Sequence, residues 1–274
     1  MEIKAADVAK LRQMTGAGMM DCKKALAEAE GDFERAQELI RERGKLVASK
    51  RADRETKEGA VIALTSQDNT KGVLVSLGCE TDFVAQTPEF KDVAQKIANA
   101  ALQSLPTDIN ALLALKVEGY TIEEWVTQQT AKTGEKHQIA YYGKLEAPAL
   151  AIYNHSNGKV SALVSFSKSV SEEAGKDVAM QVTAMAPVSV SKDDCPAEVQ
   201  EKELQIGREQ AIQDGKPEGM IEKIAQGKLN RFFKDSTLLA QDFIKDGKVS
   251  VADYLKSIDP AVQVQAFLRF SLND

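Results

Sequence analysis

The 274-residue chain has little of what reactive sites are made from. Its three cysteines, Cys22, Cys79 and Cys195, are far apart and odd in number. That excludes a Cys-x-x-Cys metal or redox site and reads as reduced thiols. Two histidines, His137 and His155, cannot build a His-rich metal site. Aromatics make up 5% and the net charge is −6, an acidic balance that argues against a broad nucleic-acid surface. No apolar run reaches the roughly 18 residues of a membrane span. The start, Met1-Glu2-Ile3-Lys4-Ala5-Ala6-Asp7, has neither the apolar core of a secretory signal nor the arginines of a transit peptide, so the expected compartment is the cytoplasm. The Gly-Lys pairs at Gly143, Gly158 and Gly227 lack the flanking residues of a phosphate loop. Gly16-Ala17-Gly18 lacks the third glycine of a dinucleotide fingerprint, and no Gly-x-Ser-x-Gly elbow occurs. With no converging acid–base set, the expectation is a protein that is not an enzyme.

What is present is ordinary globular material, 43% apolar and 28% charged, enough for a sizeable core and about two domains. Residues 1–55 read as a helical module. Val8, Leu11 and Met14 recur at helical spacing, and Thr15-Gly16-Ala17-Gly18 is a turn. Met19 to Ala29 is a second helix with Cys22, Leu26 and Ala29 on one side. Gly31 stops it and Asp32 caps a third, whose face is Phe33, Ala36, Leu39 and Ile40 and whose expected end is Gly44. Between Arg41 and Arg54 lie six basic and two acidic residues, a local charge of +4. With no aromatics interleaved, this reads as a solvated helix or tether.

From residue 59 the period changes from helix to strand. Val61 to Leu64 and Val73 to Leu77 predict a hairpin around Gln67–Gly72, followed by a polar corner and a helix from Pro88 to Leu102. The unit recurs. Leu150 to Tyr153 and Ala162 to Phe166 are strand-like around the loop His155–Lys159, and Val61 and Leu74 match Leu150 and Leu163 at one offset of 89. Lys91-Asp92-Val93-Ala94 matches Lys176-Asp177-Val178-Ala179 at an offset of 85, so the second corner is four residues shorter. This predicts a duplicated β-hairpin plus helix, an α+β core with halves at 56–145 and 146–274. Residues 106–136 carry helical periodicity around Leu112, Leu113, Trp125 and Val126. In residues 196–234, Val199, Leu204, Ile206 and Ala211 give the first arm of an antiparallel helical hairpin, broken at Gly215-Lys216-Pro217.

Two short stretches stand out as contact chemistry. Met19-Met20 follows a glycine turn and offers soft, adaptable apolar surface. Thr81-Asp82-Phe83-Val84 is an acidic-aromatic corner, whereas the corner of the second copy, Lys168-Ser169-Val170-Ser171, has no aromatic. Read alone, Asp82 caps a helix and Phe83 packs inward. The contrast between copies favours recognition, since a purely scaffolding Phe83 should have kept a counterpart.

Three segments carry a family resemblance. Leu11 to Leu26, with Thr15-Gly16-Ala17-Gly18-Met19-Met20-Asp21-Cys22 at its centre, resembles the N-terminal signature of the elongation factor Ts family; Cys79-Glu80-Thr81-Asp82-Phe83-Val84-Ala85 is similar to its second signature, and Leu238-Leu239-Ala240-Gln241-Asp242-Phe243 to a late one. The resemblance implies a guanine-nucleotide exchange factor for elongation factor Tu. It implies a fold with a ubiquitin-associated-like three-helix N-domain, a duplicated α+β core and a helical hairpin inserted in the second copy. By the same resemblance Thr81, Asp82, Phe83 and Val84 would disturb the partner's Mg²⁺ and phosphate site, while Met19, Met20 and His155 would bind the partner. It implies no cofactor of the chain's own. Composition leaves nucleic acid and membrane out as partners, and the outer face of the hairpin is free for weak self-association or for a distal part of the partner. The chain departs from the family pattern at Gln86, Asp177 and Gln181, so no partner contact is carried onto the last two. The competing reading is a scaffold that binds through a ubiquitin-associated-like module without exchange activity.

Overall fold

The computed structural model describes residues 3–273. Helices α1 (Ala5–Thr15), α2 (Met19–Glu28) and α3 (Phe33–Lys50) bury Leu11, Cys22, Leu26, Ala36 and Ile40 against one another. Gly16, at φ 67°, ends α1 in the left-handed conformation that glycine adopts without steric cost. The Asp32 carboxylate accepts the amides of Glu34 and Arg35 and caps α3. Met14, at helical spacing with the buried Val8 and Leu11, is itself 48% exposed.

Gly44 does not end α3. The helix runs on to Lys50, and Gly44 is buried where a Cβ would stand 3.0 Å from that of Ala131 and 3.4 Å from the Thr127 carbonyl oxygen. Here glycine serves helix–helix approach. The propensity that would break a helix yields to the packing it permits. The basic stretch is thus a helix docked on the core, not a free tether.

The first half opens with strands β1 (Glu58–Thr65) and β2 (Lys71–Cys79), an antiparallel hairpin with Val61 opposite Ser76. Then come α4 (Asp82–Ala85), α5 (Pro88–Ser104), α6 (Ile109–Ala114), a ribbon of β3 (Lys116–Val117) and β4 (Tyr120–Thr121), and α7 (Ile122–Thr133). Strand β5 (Gln138–Glu146) returns beside β2, giving the order β1-β2-β5. Phe90, Ile97 and Ala101 of α5 cover Val73, Val75 and Leu77 of β2.

The second half repeats the plan. Strands β6 (Ala149–Asn154) and β7 (Val160–Phe166) form the hairpin, and α8 (Glu172–Met185) covers it. Next come α9 (Ala197–Gln213) and α10 (Glu218–Ser236), where the first half has only α6. A ribbon of β8 (Asp242–Phe243) and β9 (Asp246–Ser250), α11 (Val251–Ile258) and β10 (Val264–Ser271) complete it, with β7 between β6 and β10.

The repeat holds at the level of register. The shift of 89 residues carries the Val61–Ser76 pair onto Leu150–Ser165. A shift of 125 carries Tyr142, opposite Val75, onto Phe267, opposite Val164. Even the bulge recurs: Leu77 faces Ile139 with Ala140 skipped, and Phe166 faces Val264 with Gln265 skipped. The third strands, β5 and β10, were not anticipated from the sequence.

The two sheets lie face to face, with α5 and α8 outside. Val61, Ala63 and Leu74 meet Ile152, Leu268 and Leu272 between them, and Tyr141 stacks on Phe270 at 4.8 Å. Two backbone bonds cross the seam as a reciprocal pair: Val61 N–H donates to Gly158 O and Leu150 N–H to Asn69 O, both at 2.8 Å. Exchanging the halves turns one bond into the other.

The helical hairpin is present, and its seam differs in part from the expected one. Ala211 and Leu229 are buried, together with Gly207 and Ala225, and a Cβ at Gly207 would lie 3.0 Å from the Ala225 Cα. Val199, Leu204 and Ile206 are only half-buried. Among the described residues no helix is long and apolar enough to cross a membrane.

Candidate functional site

Strand β2 runs out at Cys79, and the next two residues are held from behind. Glu80 receives two bonds from Arg51, at 2.9 and 2.8 Å, and the Lys136 amide at 2.6 Å. Thr81 donates its N–H to one Glu135 oxygen at 3.0 Å and its hydroxyl to the other at 2.6 Å. The Thr81 hydroxyl oxygen also accepts the Val84 amide at 3.5 Å, capping the single turn α4. Ala85 is buried and Val84 packs on the first core, so Asp82 and Phe83 face outward.

Phe83 is 84% exposed, the most exposed large apolar side chain among the described residues. The inward packing suggested by the segment alone is therefore wrong. Burying such a ring is worth about 1.5–3 kcal/mol, and the fold leaves that free energy unused. In the second copy the corner has no such turn. Val170 packs on its core, Ser171 caps α8 through the Ala174 amide, and Lys168 pairs with Asp259 at 2.5 Å. The difference of four residues between the copies corresponds to the four residues of α4.

The titratable groups behind the corner are arranged for support. Burial, helped by the charge of Glu135, pushes the Cys79 thiol to about 12. It therefore stays neutral and donates to the Thr81 carbonyl at 3.3 Å. Burial alone would raise the Glu80 carboxyl, but the Lys136 amide and Arg51 outweigh it and hold it below the ordinary range. His137 is buried, which lowers its pKa; its Nδ1 lies 3.0 Å from the Glu135 carbonyl, and its Nε2 is buried without a partner.

His155 is exposed at the start of the β6–β7 loop, beside Tyr153 with ring centres 6.0 Å apart. Asp82 and His155 line one groove of about 450 Å³, with Glu58, Gln86, Lys91 and Asn154. The fold thus brings together two candidates 73 residues apart in sequence. Met19 and Met20, 44% and 64% exposed at the start of α2, do not line that groove. The turn before them is nevertheless tied toward the corner: the Lys132 side chain lies over Gly16 and pairs with Glu89 in the first turn of α5.

Asp177 and Gln181 are internal fasteners. Asp177 accepts the Tyr254 hydroxyl at 2.9 Å and pairs with Lys245 at 2.5 Å. Gln181 donates to Gln241 Oε1 and Asp242 O, each at 3.1 Å, and accepts the Ile244 amide at 2.8 Å. The late signature belongs to the same network, with Gln241 buried and Phe243 stacked on Tyr254 at 4.0 Å. The sequence reading missed Arg51, Glu135 and Lys136, which lie up to 56 residues from the corner they hold. Among the described residues no cluster of His, Cys, Asp and Glu could hold a metal ion.

Comparison with known proteins follows this geometry closely. The family model described as Elongation factor TS matches residues 80–274, starting at the corner itself. A curated Elongation factor Ts of Christiangramia forsetii is 50% identical over 273 residues, covering 99% of this chain and 99% of that protein. Those of Amoebophilus asiaticus, 46% identical over 272 residues and 98% of each chain, and of a Hydrogenobaculum species, 42% identical over 277 residues and 99% of each, are similar along the same length. With corner, duplicated core and full-length similarity in agreement, the chain belongs to the elongation factor Ts family of bacterial translation elongation factors.

Proposed function

We propose that the protein is a guanine-nucleotide exchange factor for elongation factor Tu, acting in the cytoplasm, and that the Thr81–Val84 corner is the element that releases GDP. The observation that carries this reading is Phe83, 84% exposed on a backbone anchored from both sides. Exchange requires no proton transfer. It requires that the factor bind the nucleotide-free partner more tightly than the loaded one; by linkage, nucleotide then weakens the factor by the same ratio and expels it. The partner's nucleotide is held by Mg²⁺ and by backbone groups around its phosphates. A ring entering beside them displaces the groups that position ion and phosphate, and Asp82 adds negative charge at the same point. Met19 and Met20 supply affinity, and His155 grips a second part of the partner. Ile212 and Met220, exposed near the tip of the helical hairpin, are its surface for weak self-association. No covalent step, cofactor, nucleic acid or membrane enters this scheme.

The test is release of mant-GDP from elongation factor Tu in stopped flow. Phe83→Ala should lower the saturating rate by about 30-fold, the equivalent of about 2 kcal/mol at an interface anchor, with the melting temperature unchanged. A wild-type rate would overturn the reading. Met19→Ala with Met20→Ala should instead raise the half-saturating concentration. This pair is preferable to removing residues 1–50, because α3 packs on α7 through Gly44.

A further inference from the structure

Asp82 and Phe83 face solvent, and α4 has only four residues, too few to hold a helix alone. The direction of Phe83 is therefore set by what anchors the backbone on either side. On the C-terminal side, Ala85 is buried and the Thr87 amide closes on Val84 O at 3.1 Å. On the N-terminal side the anchor is Thr81, and both hydrogens that Thr81 can donate go to one carboxylate, that of Glu135.

Glu135 is itself fixed. Gly134, at φ 72°, ends α7 in the left-handed conformation and turns the chain toward β2. The Glu135 amide donates to Thr133 Oγ1 at 3.1 Å, and its carbonyl takes the Nδ1 hydrogen of buried His137 at 3.0 Å. With its hydroxyl hydrogen committed to Glu135, Thr81 presents its oxygen to the Val84 amide. One carboxylate thus fixes both the entry of the chain into α4 and the polarity of its cap.

We propose that Glu135 is the positioning residue of the exchange corner: it acts through Thr81 to fix the direction in which Phe83 projects. The proposal rests on the reading of Phe83 as the exchange element. It predicts that geometry, rather than charge, is what Glu135 supplies. Gln keeps the reach, with an oxygen for the Thr81 amide and an N–H for the Thr81 oxygen. Asp keeps the charge and loses the reach.

Glu135→Ala, Glu135→Asp and Glu135→Gln in the full chain separate these. Misplacement of a positioned group by about 1 Å can cost up to about a hundredfold, so Ala and Asp should lower the saturating rate of mant-GDP release by about tenfold. Half-saturation should move by less than about twofold, since Met19 and Met20 are untouched, and Gln should recover to within about threefold of wild type. In the free protein, the Thr81 and Val84 amides should exchange hydrogen at least about tenfold faster in Glu135→Ala. If Phe83→Ala loses exchange while Glu135→Ala keeps both rate and amide protection, the positioning role is wrong and the exchange corner stands. If Phe83→Ala keeps its rate, both fall. Should Glu135→Ala not fold, Thr81→Val removes only the hydroxyl, and a wild-type saturating rate in that variant overturns the proposal.

Discussion

The two halves share a register to the residue, yet they use the equivalent corner in opposite ways. In the second half the chain passes from β7 to α8 with Val170 turned onto the core. In the first, one added turn lifts Phe83 into solvent. The fastening of helix to ribbon also differs. Asp92 and Lys96 on α5 correspond by the 85-residue shift to Asp177 and Gln181 on α8. Lys96 reaches Asp92 and Glu118 as half-exposed ion pairs, at 3.2 and 3.0 Å, over the Trp125 ring. Gln181 is fully buried in a neutral network. A common scaffold thus tolerates a change of exposure at a surface corner and a change of chemistry under its ribbons, because neither alters the strand register.

The largest expected effect breaks the comparison at its corner. Deleting Asp82–Ala85 gives the first corner the length of the second, and should lower saturating exchange by at least about 30-fold while circular dichroism stays native. Next, Gln181→Leu leaves the Gln241 oxygen and the Ile244 amide unsatisfied and should cost about 2–3 kcal/mol in urea unfolding. Lys96→Ala at the matching position should cost clearly less in the same measurement, because exposed, screened ion pairs contribute little. Equal costs would refute the contrast drawn here. Gly207→Val puts side chain into the α9–α10 seam and should cost about 1–3 kcal/mol by overpacking. It should appear as an early, hairpin-only loss of ellipticity on heating, with saturating exchange retained. The smallest effect concerns pH. Burial holds the folded-state pKa of His137 below the ordinary 6.5. As pH falls below that value the unfolded chain takes up the proton first. Stability from this site is full above about pH 6.5 and declines below it. The residue related to His137 by the 125-residue shift is the non-titrating Val262, also buried. His137→Asn should flatten the acid limb of the stability curve, and an unchanged slope would place that sensitivity elsewhere.

Much of this was legible in sequence where the signal is local or repeated. The 89-residue match worked because a hairpin holds its register, so Val61 and Leu74 kept their places as Leu150 and Leu163. The corner stood out because its duplicate lacks a phenylalanine. Strands β5 and β10 escaped because both are half-buried along most of their length and carry no clear alternation. Gly44 and Gly207 were misjudged or passed over for one reason. Periodicity ranks glycine as a break, whereas a helix crossing at close range selects it. The support for Phe83 could not be read at all. Arg51, Glu135 and Lys136 reach the corner only through tertiary folding, and nothing in their own segments marks them.

The reciprocal bonds across the sheet seam have a consequence for how such a molecule can change. Two contacts that are exchanged copies of one another are what the two-fold axis of an isologous dimer produces. Two separate chains, each a single half, would meet in this way through Val61-like amides and Gly158-like carbonyls. In such a homodimer any alteration appears twice, so a projecting phenylalanine on one corner brings another on the opposite corner. Carrying both halves on one polypeptide removes that constraint: one corner can be reshaped to engage a partner while the other stays closed onto its core and the backbone pair that joins the halves is kept.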